Sequence, residues 1–181
     1  MAKGKIIFLN GVSSSGKSTL AAKLQKSLPE AYFVFCADLF MEMISPAKGL
    51  GDYDGEAKVQ FISAMYHAIR ALSDAGFNMI VDDLFLKDNF SGFEQCVELL
   101  RDCPVLFVRV TCPLDELRRR EKARGDREIG QGEGQLALLN PQDTYDITVD
   151  TSGEDCIDRI IDALCRPEDL AAFRTLWSQR I

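Results

Sequence analysis

The sequence predicts an α/β fold in which a parallel sheet is covered on both faces by helices. Three observations predict it. Short apolar, β-rich runs alternate with helix-period runs along all 181 residues. Residues 11–18, Gly-Val-Ser-Ser-Ser-Gly-Lys-Ser, complete a G-x-x-x-x-G-K-[ST] phosphate-binding loop between the first such strand and the first such helix. Acidic or hydroxyl residues follow the other strands, at the end where an open parallel sheet binds its ligands. Alternation of this kind makes the strands parallel and the crossovers right-handed.

Taken in order, strands are expected at 5–10, 32–37, 77–82, 105–111 and 146–150, around the runs Ile-Ile-Phe-Leu, Phe-Val-Phe, Met-Ile-Val, Val-Leu-Phe-Val and Ile-Thr-Val. Helices are expected at about 17–28, 38–45, 56–75, 90–102, 113–124 and 154–165. A last helix follows Pro167, with Leu170, Phe173, Leu176 and Trp177 on one face. Two stretches break the pattern. Residues 46–55 are Gly/Asp-rich and read as a mobile loop, and residues 125–141 follow a run of arginines and carry several glycines. Both exceed ordinary connection lengths, as lids and binding loops do. No repeat, low-complexity segment or linker appears. Residues 1–181 are therefore read as one domain, with a lid at about 118–141.

Composition bounds the function. A net charge of −7 argues against nucleic acid as a partner, because a phosphate backbone would be repelled. The positive charge is local: Arg118, Arg119, Arg120, Lys122, Arg124 and Arg127 cluster, which suits a small anionic ligand. No apolar run approaches membrane-spanning length, so no membrane partner is expected. The N-terminal apolar run of about four residues is shorter than the roughly 7–15 of a signal peptide, and the expectation is a cytoplasmic protein. The six cysteines show no C-x-x-C pairing and read as small core residues. The one histidine, His67, lies in a helical stretch and reads as structural or surface. A homo-oligomer stays open.

The phosphate loop carries the most specific signal. Its four fixed positions co-occur by chance less than about once in a hundred chains of this size. Gly11 and Gly16 let the backbone curl, so that the N–H groups of Val12, Ser13, Ser14, Ser15 and Gly16 can face phosphate oxygens. The helix beginning near Lys17 adds its positive end, with Ser18 and Thr19 in its first turn. Lys17 is the point charge for the β- and γ-phosphates of ATP, and the Ser18 hydroxyl is a ligand for Mg²⁺.

Asp82 and Asp83 end the third strand, where a carboxylate would hold Mg²⁺ directly or through water. A turn-capping pair is the other reading. Adjacent strand residues face opposite ways, and the sequence does not say which faces the metal. Asp38 follows the second strand. It reads either as an N-cap or as the base that accepts a proton from the acceptor hydroxyl. In the arginine cluster, Arg120 and Arg124 share a helix face. Arg118 and Arg119 are expected on a solvated face with Glu116 and Glu121 as partners. Arg124 and Arg127 bracket Gly125-Asp126 and suit a lid that closes over ATP and excludes water.

These segments, in this order, resemble a known family. The phosphate loop is followed by Leu28-Pro29-Glu30, Phe35-Cys36-Ala37-Asp38 and Ile80-Val81-Asp82-Asp83-Leu84-Phe85-Leu86. Arg120-Glu121-Lys122-Ala123-Arg124-Gly125-Asp126-Arg127 and Tyr145-Asp146-Ile147-Thr148-Val149-Asp150-Thr151 complete the set. Together they look like chloramphenicol phosphotransferase and its relatives, over about residues 5–165. The resemblance implies a P-loop kinase fold, a five-stranded parallel sheet in the order 2-3-1-4-5 with an Arg-rich lid. It implies transfer of the ATP γ-phosphate to a hydroxyl of a small molecule, with Asp38 as the base and Arg120, Arg124 and Arg127 as lid arginines. The segments 39–55, 87–93 and 136–141 depart from the antibiotic kinase, so the acceptor is the weakest part of the carry-over. Drug resistance does not follow from the fold.

Other functions are separable. A kinase of another metabolite or sugar nucleotide, shikimate-, gluconate- or zeta-toxin-like, would differ only in its acceptor. A GTP switch would want an N-K-x-D segment, and the sequence has none. A nucleotide-binding protein without turnover would need to have lost chemistry that these residues retain.

Overall fold

The computed structural model describes residues 2–43, 55–86, 90–125, 129–139 and 144–179. Five parallel strands form one sheet: β1 (Ile6–Asn10), β2 (Tyr32–Cys36), β3 (Asn78–Asp83), β4 (Val105–Thr111) and β5 (Ile147–Asp150). Their order is β2-β3-β1-β4-β5, as the family resemblance implies. Between and after them run α1 (Lys17–Ser27), α2 (Ala37–Glu42), α3 (Gly55–Asp74), α4 (Phe90–Leu100), α5 (Leu114–Arg124), α6 (Gln131–Leu136), α7 (Cys156–Leu164) and α8 (Ala172–Ser178). No helix among the described residues is long and apolar enough to cross a membrane.

The central strand β1 is wholly buried, and its alternate side chains feed two cores. Ile6 and Phe8 enter the core under α3, α4 and α8, while Ile7 and Leu9 enter the one under α1 and α7. On α3, Ile62, Met65, Ile69 and Leu72 recur at helical spacing and face that first core. Phe8 is its hub, with ring centroids 5.1 Å from Phe85 and 5.8 Å from both Phe107 and Phe173. Phe8→Ala is expected to destabilise the fold by about 3–5 kcal/mol, checked by denaturant unfolding. A loss below about 1 kcal/mol would show that the cluster collapses around the gap.

One element departs from expectation. The glycine-bearing segment 125–141, read as a loop, contains the six-residue helix α6. Its sequence, Gln-Gly-Glu-Gly-Gln-Leu, is a poor helix former. The helix is held from outside: the buried carboxylate of Glu121 on α5 accepts the Gly130 N–H at 2.9 Å and the Gly132 N–H at 2.5 Å. Glu121 is therefore not the partner of Arg118 and Arg119. Arg119 pairs with Glu116, as expected, and Arg118 with Glu133.

Candidate active site

The site lies at the carboxyl ends of β1, β3 and β2, where the sheet changes winding direction. After Asn10 the chain turns through two left-handed residues, Ser14 at φ 61° and Gly16 at φ 96°, before α1 starts at Lys17. A non-glycine residue at positive φ is uncommon, and here it curls the loop tightly; contrary to expectation, the Ser13 N–H goes to Gln135 Oε1 and the Ser15 N–H to Val12 O. The hydroxyls of Ser14 and Ser15 are buried without a hydrogen-bond partner among the described residues. Unmet donors inside a concave, helix-capped loop fit a phosphate group.

Lys17 lies over this loop. Its Nζ donates to the carbonyls of Gly11 at 2.6 Å and Val12 at 3.1 Å and stands 3.8 Å from Asp82 Oδ1. Burial pushes its ammonium below the usual lysine range, and the carboxylates of Asp82, Asp83 and Asp38 oppose that push. The Ser18 hydroxyl donates to Asp82 Oδ2 at 2.6 Å. Hard oxygen donors so placed fit Mg²⁺.

Asp82 and Asp83 serve different faces of the sheet. Asp83 accepts the Tyr66 hydroxyl at 2.7 Å through Oδ2 and the Leu84 N–H at 2.7 Å through Oδ1. Burial raises its carboxyl above the usual range, against those two hydrogen bonds and Lys17. The geometry thus brings Asp82, and not Asp83, onto Ser18 and Lys17. Tyr66 gave no signal in the sequence beyond its place on the apolar face of α3.

Asp38 is exposed in the first turn of α2. The N-cap is Cys36, which makes no side-chain cap bond, so the capping reading of Asp38 does not hold. A cavity of about 470 Å³ joins Asp38 to Ser13, Ser14, Gly16, Lys17, Ser18, Thr19, Asp82 and Asp83, and Arg119, Arg120 and Arg124 of α5 also line it. The Arg120 guanidinium reaches Ser15 O at 3.1 Å, Thr151 Oγ1 at 2.8 Å and Glu116 at 2.7 Å. It fastens α5 to the loop and to the end of β5. Thr151 Oγ1 in turn donates to Ser15 O at 2.6 Å. Arg127, Asn140 and the segment 44–54 lie outside the described residues. His67 is exposed on α3, away from this cavity.

Two polar residues were absent from the predicted set. Asn10, buried at the end of β1, accepts the Phe85 N–H at 2.9 Å and donates to the Tyr145 hydroxyl at 2.8 Å. It joins the segments that follow β3 and precede β5. A polar residue directly before the first loop glycine was the available signal. Gln135 of α6 accepts the Ser13 N–H at 2.7 Å, and nothing in the sequence marked it.

A family model described as chloramphenicol phosphotransferase-like protein matches residues 4–164. The chain belongs to that family. A Mycobacterium tuberculosis protein provisionally named an O-phosphotransferase is 30% identical over 175 residues, covering 84% of this chain and 77% of that protein. An adenylyl-sulfate kinase of Clostridium acetobutylicum is 28% identical over 172 residues, covering 90% of this chain and 84% of its own length. The M. tuberculosis APS kinase, solved with AMPPNP and APS, shares the fold, with a TM-score of 0.68 at 18% identity over 91% of this chain and 99% of that one. Fold, phosphate loop and family agree. This chloramphenicol phosphotransferase-like chain is a P-loop phosphotransferase of the kinase type.

Proposed function

We propose that the protein transfers the γ-phosphate of ATP, with Mg²⁺, to a hydroxyl of a small molecule, and that a chloramphenicol-like alcohol is the first acceptor to test. What supports this reading is one cavity lined by Lys17, Ser18, Asp38 and Asp82. Bound MgATP supplies the transferable phosphoryl group and the divalent charge that offsets its oxygens. The remaining loop N–H groups and Lys17 would hold the phosphates, and Ser18 with Asp82 would hold the metal; the Ser13 N–H is taken by Gln135 Oε1 and the Ser15 N–H by Val12 O. Asp38 orients the acceptor hydroxyl and takes its proton. A carboxylate is a weak base, but in a loose phosphoryl transition state the hydroxyl loses its proton late, so a weak base held in place suffices.

Arg124 closes over the phosphates, with Arg120 bracing α5. Arg124→Ala is expected to lower kcat by about 10- to 100-fold with much less effect on ATP binding. Unchanged kinetics would return Arg124 to a solvated helix face.

A second reading is a kinase whose acceptor is anionic, such as a sulfated or phosphorylated nucleoside. The 28% identity to an adenylyl-sulfate kinase across 90% of this chain favours it. The test is MgATP consumption against a panel containing chloramphenicol, adenylyl sulfate and simple sugars, with mass spectrometry of the products. A phosphorylated product names the acceptor. ATP binding with no phosphorylated product from any alcohol would remove the transferase reading.

A further inference from the structure

The lid segment and the phosphate loop are joined by a side-chain amide. Gln135 Oε1 accepts the Ser13 N–H at 2.7 Å, and Gln135 lines the same cavity as Lys17, Asp38 and Asp82. Two further observations show that this is a fitted contact. Gly132, one turn earlier on α6, lies against the loop: a Cβ there would stand 2.7 Å from Ser13 O and 2.9 Å from Glu121 Oε1. Glu121 holds α6 by its Gly130 and Gly132 N–H groups, while Arg120, the residue before it, reaches Ser15 O at 3.1 Å. The α5–α6 unit therefore grips the phosphate loop at Ser13 and at Ser15.

We propose that Gln135 is a positioning residue, holding the outer turn of the phosphate loop through the Ser13 amide and registering the arginines of α5 over it. The proposal rests on the kinase reading above. The chemistry explains the residue type. A carboxylate could accept the same N–H, but it would place a negative charge beside the phosphates that Lys17 and the arginines gather. An amide accepts the bond without that repulsion. Gly132 is fixed by the same contact, because a methyl there meets a backbone carbonyl that cannot rotate away.

The test uses the full chain and three variants, Gln135→Leu, Gln135→Glu and Gly132→Ala. Hydrogen exchange of the Ser13 amide and steady-state phosphoryl transfer are measured together, with thermal unfolding confirming that each variant is folded. In Gln135→Leu, Ser13 exchange is expected to rise by about 10-fold. Its kcat is expected to fall by about 10- to 100-fold, with KM for ATP nearly unchanged, because loop geometry is lost while phosphate charge pairing is kept. Gln135→Glu reverses the split, with Ser13 protection kept and KM for ATP raised. Gly132→Ala follows Gln135→Leu, since the added methyl pushes α6 from the loop. Should Gly132→Ala fail to fold, the two Gln135 variants decide alone. Unchanged Ser13 exchange in Gln135→Leu would overturn the proposal, as would faster exchange with full turnover. An active wild type indifferent to Gln135→Leu strikes this proposal alone. A wild type that phosphorylates no acceptor sinks the kinase reading and this one with it.

Discussion

Lys17→Ala is expected to reduce phosphoryl transfer by about 10³-fold or more, with both ATP affinity and kcat falling. The ammonium is buried against Gly11 O and Val12 O and lies 3.8 Å from Asp82 Oδ1, inside the cavity that the nucleotide phosphates are proposed to fill. Removing it takes away the ammonium beside Asp82 and leaves the proposed Mg²⁺ alone to offset that carboxylate and the phosphate oxygens. In a site shielded from water the repulsion between them is far larger than at a surface. Lys17→Arg is the sharper control. It keeps the charge, but a planar fork does not fit where a compact point charge sits, so its turnover is expected to stay low. Steady-state kinetics and calorimetric ATP titration, with thermal unfolding as the folding check, measure both variants. Near-normal turnover in Lys17→Ala would remove the phosphate loop from the mechanism.

Much of this architecture was legible because its signals are local. The phosphate loop needs only residues within one turn of each other, and strand β1 next to helix α1 has the contrasting periods that place it. What was missed depends on contacts between distant segments. Glu121 stands among arginines at positions where helix-surface pairing is the natural reading. Its carboxylate instead turns inward to hold the Gly130 and Gly132 N–H groups, and so builds a helix from a sequence with little helical preference. Gln135 is ordinary until Ser13, 122 positions away, is seen beside it. The Asp82-Asp83 pair shows the same boundary. Alternation along a strand sends the two carboxylates to opposite faces, but only Ser18 on one side and Tyr66 on the other say which is which. The acceptor is the least legible feature for a further reason: in this fold, loops set specificity while the scaffold is shared among chemistries.

The proposed base tests mechanism apart from binding. Asp38→Asn is expected to lower kcat by about 10²–10⁴-fold while leaving ATP affinity nearly intact. The substitution keeps shape and hydrogen-bonding reach but cannot take a proton from the acceptor hydroxyl. Asp38 lies in the first turn of α2 and shares the cavity with Lys17. It is exposed and is not the N-cap, so the loss of stability should be small and the kinetic effect large. That asymmetry is what separates the two roles. A residue that oriented the hydroxyl without accepting its proton would keep much of its effect as asparagine, because the amide oxygen still accepts a hydrogen bond. Asp38→Ala, which removes both functions, provides the comparison. If Asp38→Asn runs near the wild-type rate while Asp38→Ala is slow, orientation dominates, as a loose transition state permits. If both are equally slow, proton transfer is the step the carboxylate serves. If ATP affinity falls while kcat holds, Asp38 shapes the pocket and the base lies elsewhere on its wall.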